Sequence, residues 1–133
     1  MTTTMCAIQQ AVYSMLNQDS GLMGHVQAIY DHAPVNPQWP CIILGSTNAR
    51  DWSTKHCRGA QVVMDLHVVS DQAGRKQTLD IMDMPSTLLR EHLLSVTNLQ
   101  LVAKQVEQAV LPPVEAEEMM QGTVRFRAFF EEA

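Results

Sequence analysis

Residues 60–69 read AQVVMDLHVV and residues 123–130 read TVRFRAFF. In both stretches apolar side chains recur at every second position. Ala60, Val62, Met64, Leu66 and Val68 fall on one side of the first, with Gln61, Asp65 and His67 on the other. Val124, Phe126, Ala128 and Phe130 fall on one side of the second, with Arg125 and Arg127 opposite. A period of two belongs to a strand with one dry face and one wet face. The chain must therefore build a sheet, and the dry face of that sheet must be covered by something else.

Two helical patterns supply the cover. Met5, Ile8, Val12, Met15 and Leu16 recur at helical spacing, which predicts an amphipathic helix over residues 4–17. Thr3 or Thr4 caps it, and NQDSG at 17–21 ends it. Leu22, Met23 and Val26 add one more turn. A second helix is expected over 72–93, capped by Ser70 or Asp71, with Leu79, Met82, Leu89 and Leu93 on its buried stripe. Pro85 lies inside it, so a kink or break is expected there.

The remaining strands are shorter or less regular. Ile29–Asp31 is a short extended piece. Residues 32–40 hold three prolines, which exclude a helix and deliver the chain extended into Cys41–Leu44. Four apolar residues in a row there predict a strand buried on both faces, with Trp39 and Cys41 packing its start. Residues 46–59 are polar and too long for a tight turn, so the flanking strands extend into them. Leu99, Leu101 and Ala103 alternate, and a phase slip at Gln105–Val106 predicts a bulge before Pro112 and Pro113 end the strand. The order is α-β-β-β-α-β-β. We expect an α+β fold: a single mixed or antiparallel sheet of four to five strands packed against two main helices. Residues 1–133 are read as one domain.

Several function classes are excluded or weakened by composition. A formal net charge of −5 argues against a surface that grips nucleic acid over its whole extent. No apolar run is long enough to span a bilayer, and the first residues, MTTTMCAIQQ, do not form a signal peptide. Cys6, Cys41 and Cys57 are odd in number and without metal-ligand spacing, so they are read as reduced cytoplasmic thiols. The six glycines are dispersed rather than clustered as in a phosphate-binding loop.

Candidate chemistry is sparse. Asp65 and His67 share a strand face, and His56 and Cys57 are adjacent in the polar segment. Loose spacing without a second ligand pair makes a poor metal site. Cys57 is the one plausible reactive thiol, and a nucleophile there would need a setting that favours thiolate. Trp52 stands among Arg50, Asp51, Ser53, Thr54 and Lys55 with no apolar neighbour in sequence. It either folds back onto the core or anchors a partner, because Trp and Arg are enriched at binding hot spots.

The ordered set formed by an opening helix, IYDHAP, WPCIILGS, ARDWSTK, LHVVSDQAGRKQTLDIMD and TVRFRAFFE resembles the tail-completion, or tail-terminator, proteins of long-tailed phages and gene-transfer agents. The resemblance spans Met5 to Phe130. It implies an α+β structural protein of a virion or prophage, without enzymatic activity or cofactor. Such proteins form a ring, commonly a hexamer, on the head-proximal end of the tail tube. The ring ends tube growth and offers the surface that joins tail to head. Its partners are other copies of itself, the tail tube protein and a head-tail connector or stopper. DNA passes through without sequence-specific binding, and no membrane is involved. The protein works in the virion tail after assembly in the host bacterial cytoplasm. Arg50, Asp51, Trp52, Lys55, His56, Arg125 and Arg127 are the candidate subunit or tube contacts. This sequence departs from the pattern at Pro85, at the His56–Cys57 pair and in the acidic PPVEAEEMM.

Two other readings stay open at this level. One is a small ligand-binding or enzymatic α+β domain using Cys57, His56, His67 and Asp65. The other is a different head-tail connector or minor tail protein.

Overall fold

A computed structural model describes residues 2–31, 35, 38–70, 76–91, 96, 99–110 and 120–132. In chain order the elements are α1 (Thr2–Gln18), α2 (Ser20–Met23), β1 (Ala28–Tyr30), β2 (Cys41–Asp51), β3 (Gly59–Ser70), α3 (Lys76–Glu91), β4 (Leu99–Val110) and β5 (Met120–Glu132). The five strands form one mixed sheet in the order β1-β2-β3-β5-β4. β1 runs parallel to β2, and every other neighbouring pair is antiparallel. The α+β class and the strand count expected from sequence are both met.

Both alternating segments sit where their period requires. Val62 lies opposite Ala128, Met64 opposite Phe126 and Leu66 opposite Val124 across the β3–β5 pair. All six are buried. α3 lies over β3, β4 and β5, while α1 lies over β1 and β2 and touches α3. Ile8, Val12 and Leu16 of α1 join Ile81, Met82 and Leu89 of α3 in the same apolar core. Burying side chains of this size stabilises by about 1.5–3 kcal/mol each, so the inner face supplies most of the driving force.

α1 ends at Gln18, and Asp19 caps the short turn that follows. Its carboxylate accepts from the Leu22 N–H at 2.9 Å. That turn buries Leu22 and leads to Val26, also buried. The start of β2 is buried as expected, with Cys41 and Ile42 fully inaccessible and Trp39 half-buried before them. Burial pushes the Cys41 thiol up to about 11.

The structure corrects four details. α3 runs unbroken through Pro85, because Ile81, Met82, Pro85, Ser86 and Leu89 all bury on one side of the helix. The Ser86 hydroxyl donates to the Met82 carbonyl at 2.9 Å within that stretch. Packing of this face outweighs the local cost of proline, about 3 kcal/mol. Leu79 does not belong to the buried stripe: it is 44% exposed, and Thr78 takes the inward position. Ser70 is the last residue of β3, not a free cap, and its hydroxyl donates to Gln77. The bulge expected at Gln105–Val106 falls one step later, between Val106 and Gln108, and a second lies between Leu101 and Ala103. Asp71, Leu93, Pro112 and Pro113 lie outside the described residues.

Candidate functional site

The outer face of the sheet differs in kind from the inner one. Among the described residues no helix packs on it. Strand register sets its side chains in rows. Arg50 of β2 is opposite Gln61 of β3, which is opposite Phe129 of β5. The next row runs Asn48, Val63 and Arg127. Beyond it Asp65 lies opposite Arg125.

A bulge in β2 completes that last row. Leu44 pairs with Leu66 and Thr47 with Met64, so Gly45 and Ser46 together oppose Asp65. Ser46 is thereby carried to Asp65, and its hydroxyl donates to the carboxylate at 3.3 Å. Arg125 donates to both carboxylate oxygens, from Nε at 2.8 Å and Nη2 at 3.3 Å. The bond from Arg125 holds the Asp65 carboxyl below its ordinary range, against the opposing effect of burial. Arg125 itself remains 45% exposed. A shallow depression of about 440 Å³ lies over these rows, with Arg50, Gln61, Asp65, Arg125 and Arg127 in its walls.

His67 lies next along β3, its Nδ1 at 3.0 Å from the Thr123 hydroxyl. The ring passes so close to Gly45 that a Cβ there would stand 2.4 Å from Nε2. A side chain at position 45 would have to displace that ring.

The β2–β3 corner is shorter than the polar segment 46–59, because both strands extend into it and only 52–58 lie outside them. It is tied by its own hydrogen bonds. The Trp52 N–H donates to the Gly59 carbonyl at 3.0 Å, and the Thr54 N–H to the Cys57 carbonyl at 2.8 Å. The Ser53 hydroxyl donates to Asp51 at 2.6 Å and accepts from the Gly59 N–H at 3.1 Å. The Trp52 ring leans on Phe129, centroids 5.0 Å apart and planes tilted by 53°. It stays 40% exposed, so part of the ring remains available.

The seven candidate contact residues therefore fall into two groups. Arg50, Arg125 and Arg127 share the outer sheet face. Asp51, Trp52, Lys55 and His56 belong to the adjoining corner, where Lys55 and His56 are exposed. Trp52 connects the groups through Phe129. Phe129 and the Asp65–Arg125 pair were missed in the sequence. Opposite charges on the wet faces of the two alternating strands were the available signal.

The alternative enzymatic set is not assembled. Asp65 and His67 lie along β3, while His56 and Cys57 occupy the corner beyond the start of that strand. The Cys57 thiol is pushed up, first by its hydrogen bond with Glu131 and then by burial and the charges of Glu131 and Glu132. A nucleophilic cysteine needs the opposite shift. Among the described residues no three His, Cys, Asp or Glu side chains are grouped to hold a metal ion.

Comparison with known proteins adds what geometry alone does not. The fold is similar to a chain in the virion of a native gene transfer agent particle, at 30% identity and a TM-score of 0.84, covering 94% of this chain and 95% of that one. It also matches the structure of the bacteriophage SPP1 gp17 protein at 22% identity and a TM-score of 0.65, over 95% of this chain and 90% of that one. That second likeness speaks to the fold. Nothing among curated proteins matches. The family model for tail completion protein gp17 matches residues 10–131, and the chain belongs to that family.

Proposed function

We propose that this protein is a structural component of a phage-like or gene-transfer-agent tail that caps the head-proximal end of the tail tube as a ring, commonly of six copies. The ring ends tube growth and offers the surface on which the DNA-filled head docks. Residues 1–133 act as one domain. The neighbours are further copies of the chain, the tail tube protein and a connector or stopper on the head side. DNA passes through the ring without sequence readout. Assembly takes place in the host bacterial cytoplasm, without catalysis, cofactor or membrane.

The observation that carries this reading is the family match over residues 10–131, joined to the likeness at 30% identity to a chain of a gene transfer agent virion. The site chemistry supports it. The outer face offers arginines and an exposed Trp, residue types favoured at protein contacts, and Cys57 is shifted away from nucleophilic use. No helix among the described residues is long and apolar enough to cross a membrane. We assign the contacts with subunits or tube to Arg50, Asp51, Trp52, Lys55, His56, Arg125 and Arg127.

Electron microscopy of particles made without the protein tests the role. Headless tails of irregular or excessive length, beside DNA-filled heads without tails, are expected. Tails of normal length that lack heads would assign the protein to a neighbouring connector instead. Normal complete particles would remove it from tail completion.

A further inference from the structure

We propose that the arginine face of the sheet receives the next copy of this chain, and that what it receives is the acidic side of α3 around Asp80 and Asp83. The proposal rests on the ring reading above and names the surfaces that would join one copy to the next.

Two concave patches, one on each layer of the molecule, differ in their predominant charge. The depression on the outer sheet face is lined by Arg50, Arg125 and Arg127 around one carboxylate, Asp65, with Glu131 further along the same side of β5, on a chain whose formal net charge is −5. α1 contributes no charged side chain to the helix layer. Exposed charge in the middle of α3 comes from Asp80 and Asp83. These two, with Asp19, His25, Met84 and Leu88, line a groove of about 480 Å³ between α2 and α3. The lining of the sheet depression is thus mainly basic and that of the groove beside α3 mainly acidic, while Lys76 and Arg90 stand towards the two ends of α3.

The apolar residues repeat the division. Leu79, beside Asp80, is 44% exposed, whereas Leu89 of the same helix is buried and Leu88 half-buried. Trp52 is 40% exposed beside the arginine face. Each patch therefore pairs a predominance of one charge sign with a nearby apolar residue that its own chain leaves partly uncovered. Arginine suits the receiving side, because its planar fork binds carboxylates through two parallel hydrogen bonds. Arg125 already gives Nε and Nη2 to Asp65, so it adds a fixed positive charge to the surface rather than offering that edge of its fork to an incoming carboxylate.

The two patches lie on different sides of one molecule. A contact between them is heterologous, and heterologous contacts generate closed rings when the rotation between copies allows closure. A nucleic acid on the same face is the weaker reading. Asp65 sits among the arginines, and phosphate binding draws on an uninterrupted basic surface.

The test exploits that asymmetry. One variant carries Arg50→Glu with Arg127→Glu, and the other carries Asp80→Lys with Asp83→Lys. Arg125 is left in place so that Asp65 keeps its partner. Thermal melts confirm folding, and Arg50→Glu alone replaces the first variant if the pair does not fold. Each variant is supplied to cells lacking the natural protein, singly and then together, and capped tails are counted by electron microscopy. Either variant alone opposes like charges at every contact and should lower capped tails by about tenfold or more. Supplied together they alternate, every contact regains opposite charges, and capping should return to near the natural level. Folded variants that cap normally alone would overturn the proposal and leave the ring reading intact. Loss without rescue in the mixture would do the same. Normal rings with arrested DNA passage in the arginine variant would mark that face as a DNA-facing wall, also overturning it. Natural protein that forms no ring on tails would overturn the ring reading and this proposal with it.

Discussion

One sheet presents two faces built from the same strands by opposite rules. On the inner face of β3 and β5, Val62, Met64, Phe126 and Ala128 are buried in the core that α3 covers and α1 helps to complete. One residue along in each case, Gln61, Val63, Asp65, Arg125, Arg127 and Phe129 look outward without a helix above them. The inner face tolerates only shape and apolarity, because a buried charge without a partner is costly. The outer face holds charge, but it organises that charge: Asp65 is matched to Arg125 and Ser46 before any partner arrives. The difference teaches where stability resides. The covered face decides whether the chain folds, and the bare face is where we propose that it meets its neighbours.

The sharpest way to break this contrast is to put the same carboxylate on each face. Phe126→Asp places an unpaired charge beneath α3 and should destabilise by at least about 4 kcal/mol, abolishing a cooperative melt. Val63→Asp puts that charge on the half-buried outer row beside Arg127 and should retain a cooperative transition. Chemical denaturation of both variants gives the comparison. Equal losses would mean that the outer face is as dry as the inner one.

A smaller effect isolates the organised charge itself. Arg125→Met leaves the Asp65 carboxylate without its main partner and should cost about 1–2 kcal/mol near neutral pH, discounted because Arg125 is 45% exposed. The pH dependence follows from the direction of the Asp65 shift. Its folded-state carboxyl lies below the ordinary value of 3.8, so its contribution is present above that value and is lost as pH falls through the folded pKa. The natural protein should therefore lose more stability on acidification than Asp65→Asn does. Parallel acid titration curves for the two would show that the pair contributes nothing.

The two faces were not equally legible in the sequence. Alternation at 60–69 and 122–130 revealed the inner face because burial imposes a period of two on residue type. The outer face has no such rule. Its rows depend on register between strands far apart in the chain, so Asp65 and Arg125 could be read as outward but not as partners. Leu79 of α3 was misread for a related reason, although Met82 and Leu89 are buried as expected. The buried side of that helix includes Thr78, Pro85 and Ser86, which do not look like core, while exposed Leu79 does. Pro85 likewise obeyed the packing around it rather than its local preference. The candidate contacts were legible as residue types, and their division between sheet face and corner came only from the fold.

Trp52 is the residue on which the contrast is finest, since it belongs partly to both regimes. Its ring packs against Phe129 at 5.0 Å, a contact worth about 0.5–1.5 kcal/mol beyond area burial. It also remains 40% exposed at the rim of the bare face. The corner around it does not depend on the ring. Trp52 is tied by its backbone N–H to Gly59, and Ser53 bridges Asp51 to Gly59. Trp52→Ala should consequently cost the monomer only about 1 kcal/mol while keeping the fold. Truncating a buried interface Trp costs at least about 2 kcal/mol of binding, roughly thirtyfold in affinity, so tail completion should fall much further than stability does. A thermal melt paired with a count of completed particles separates the two quantities. A loss of several kcal/mol in the monomer would return Trp52 to the core and shrink the recognition face. Completion falling only in step with stability would leave the ring as a lid on Phe129 and nothing more.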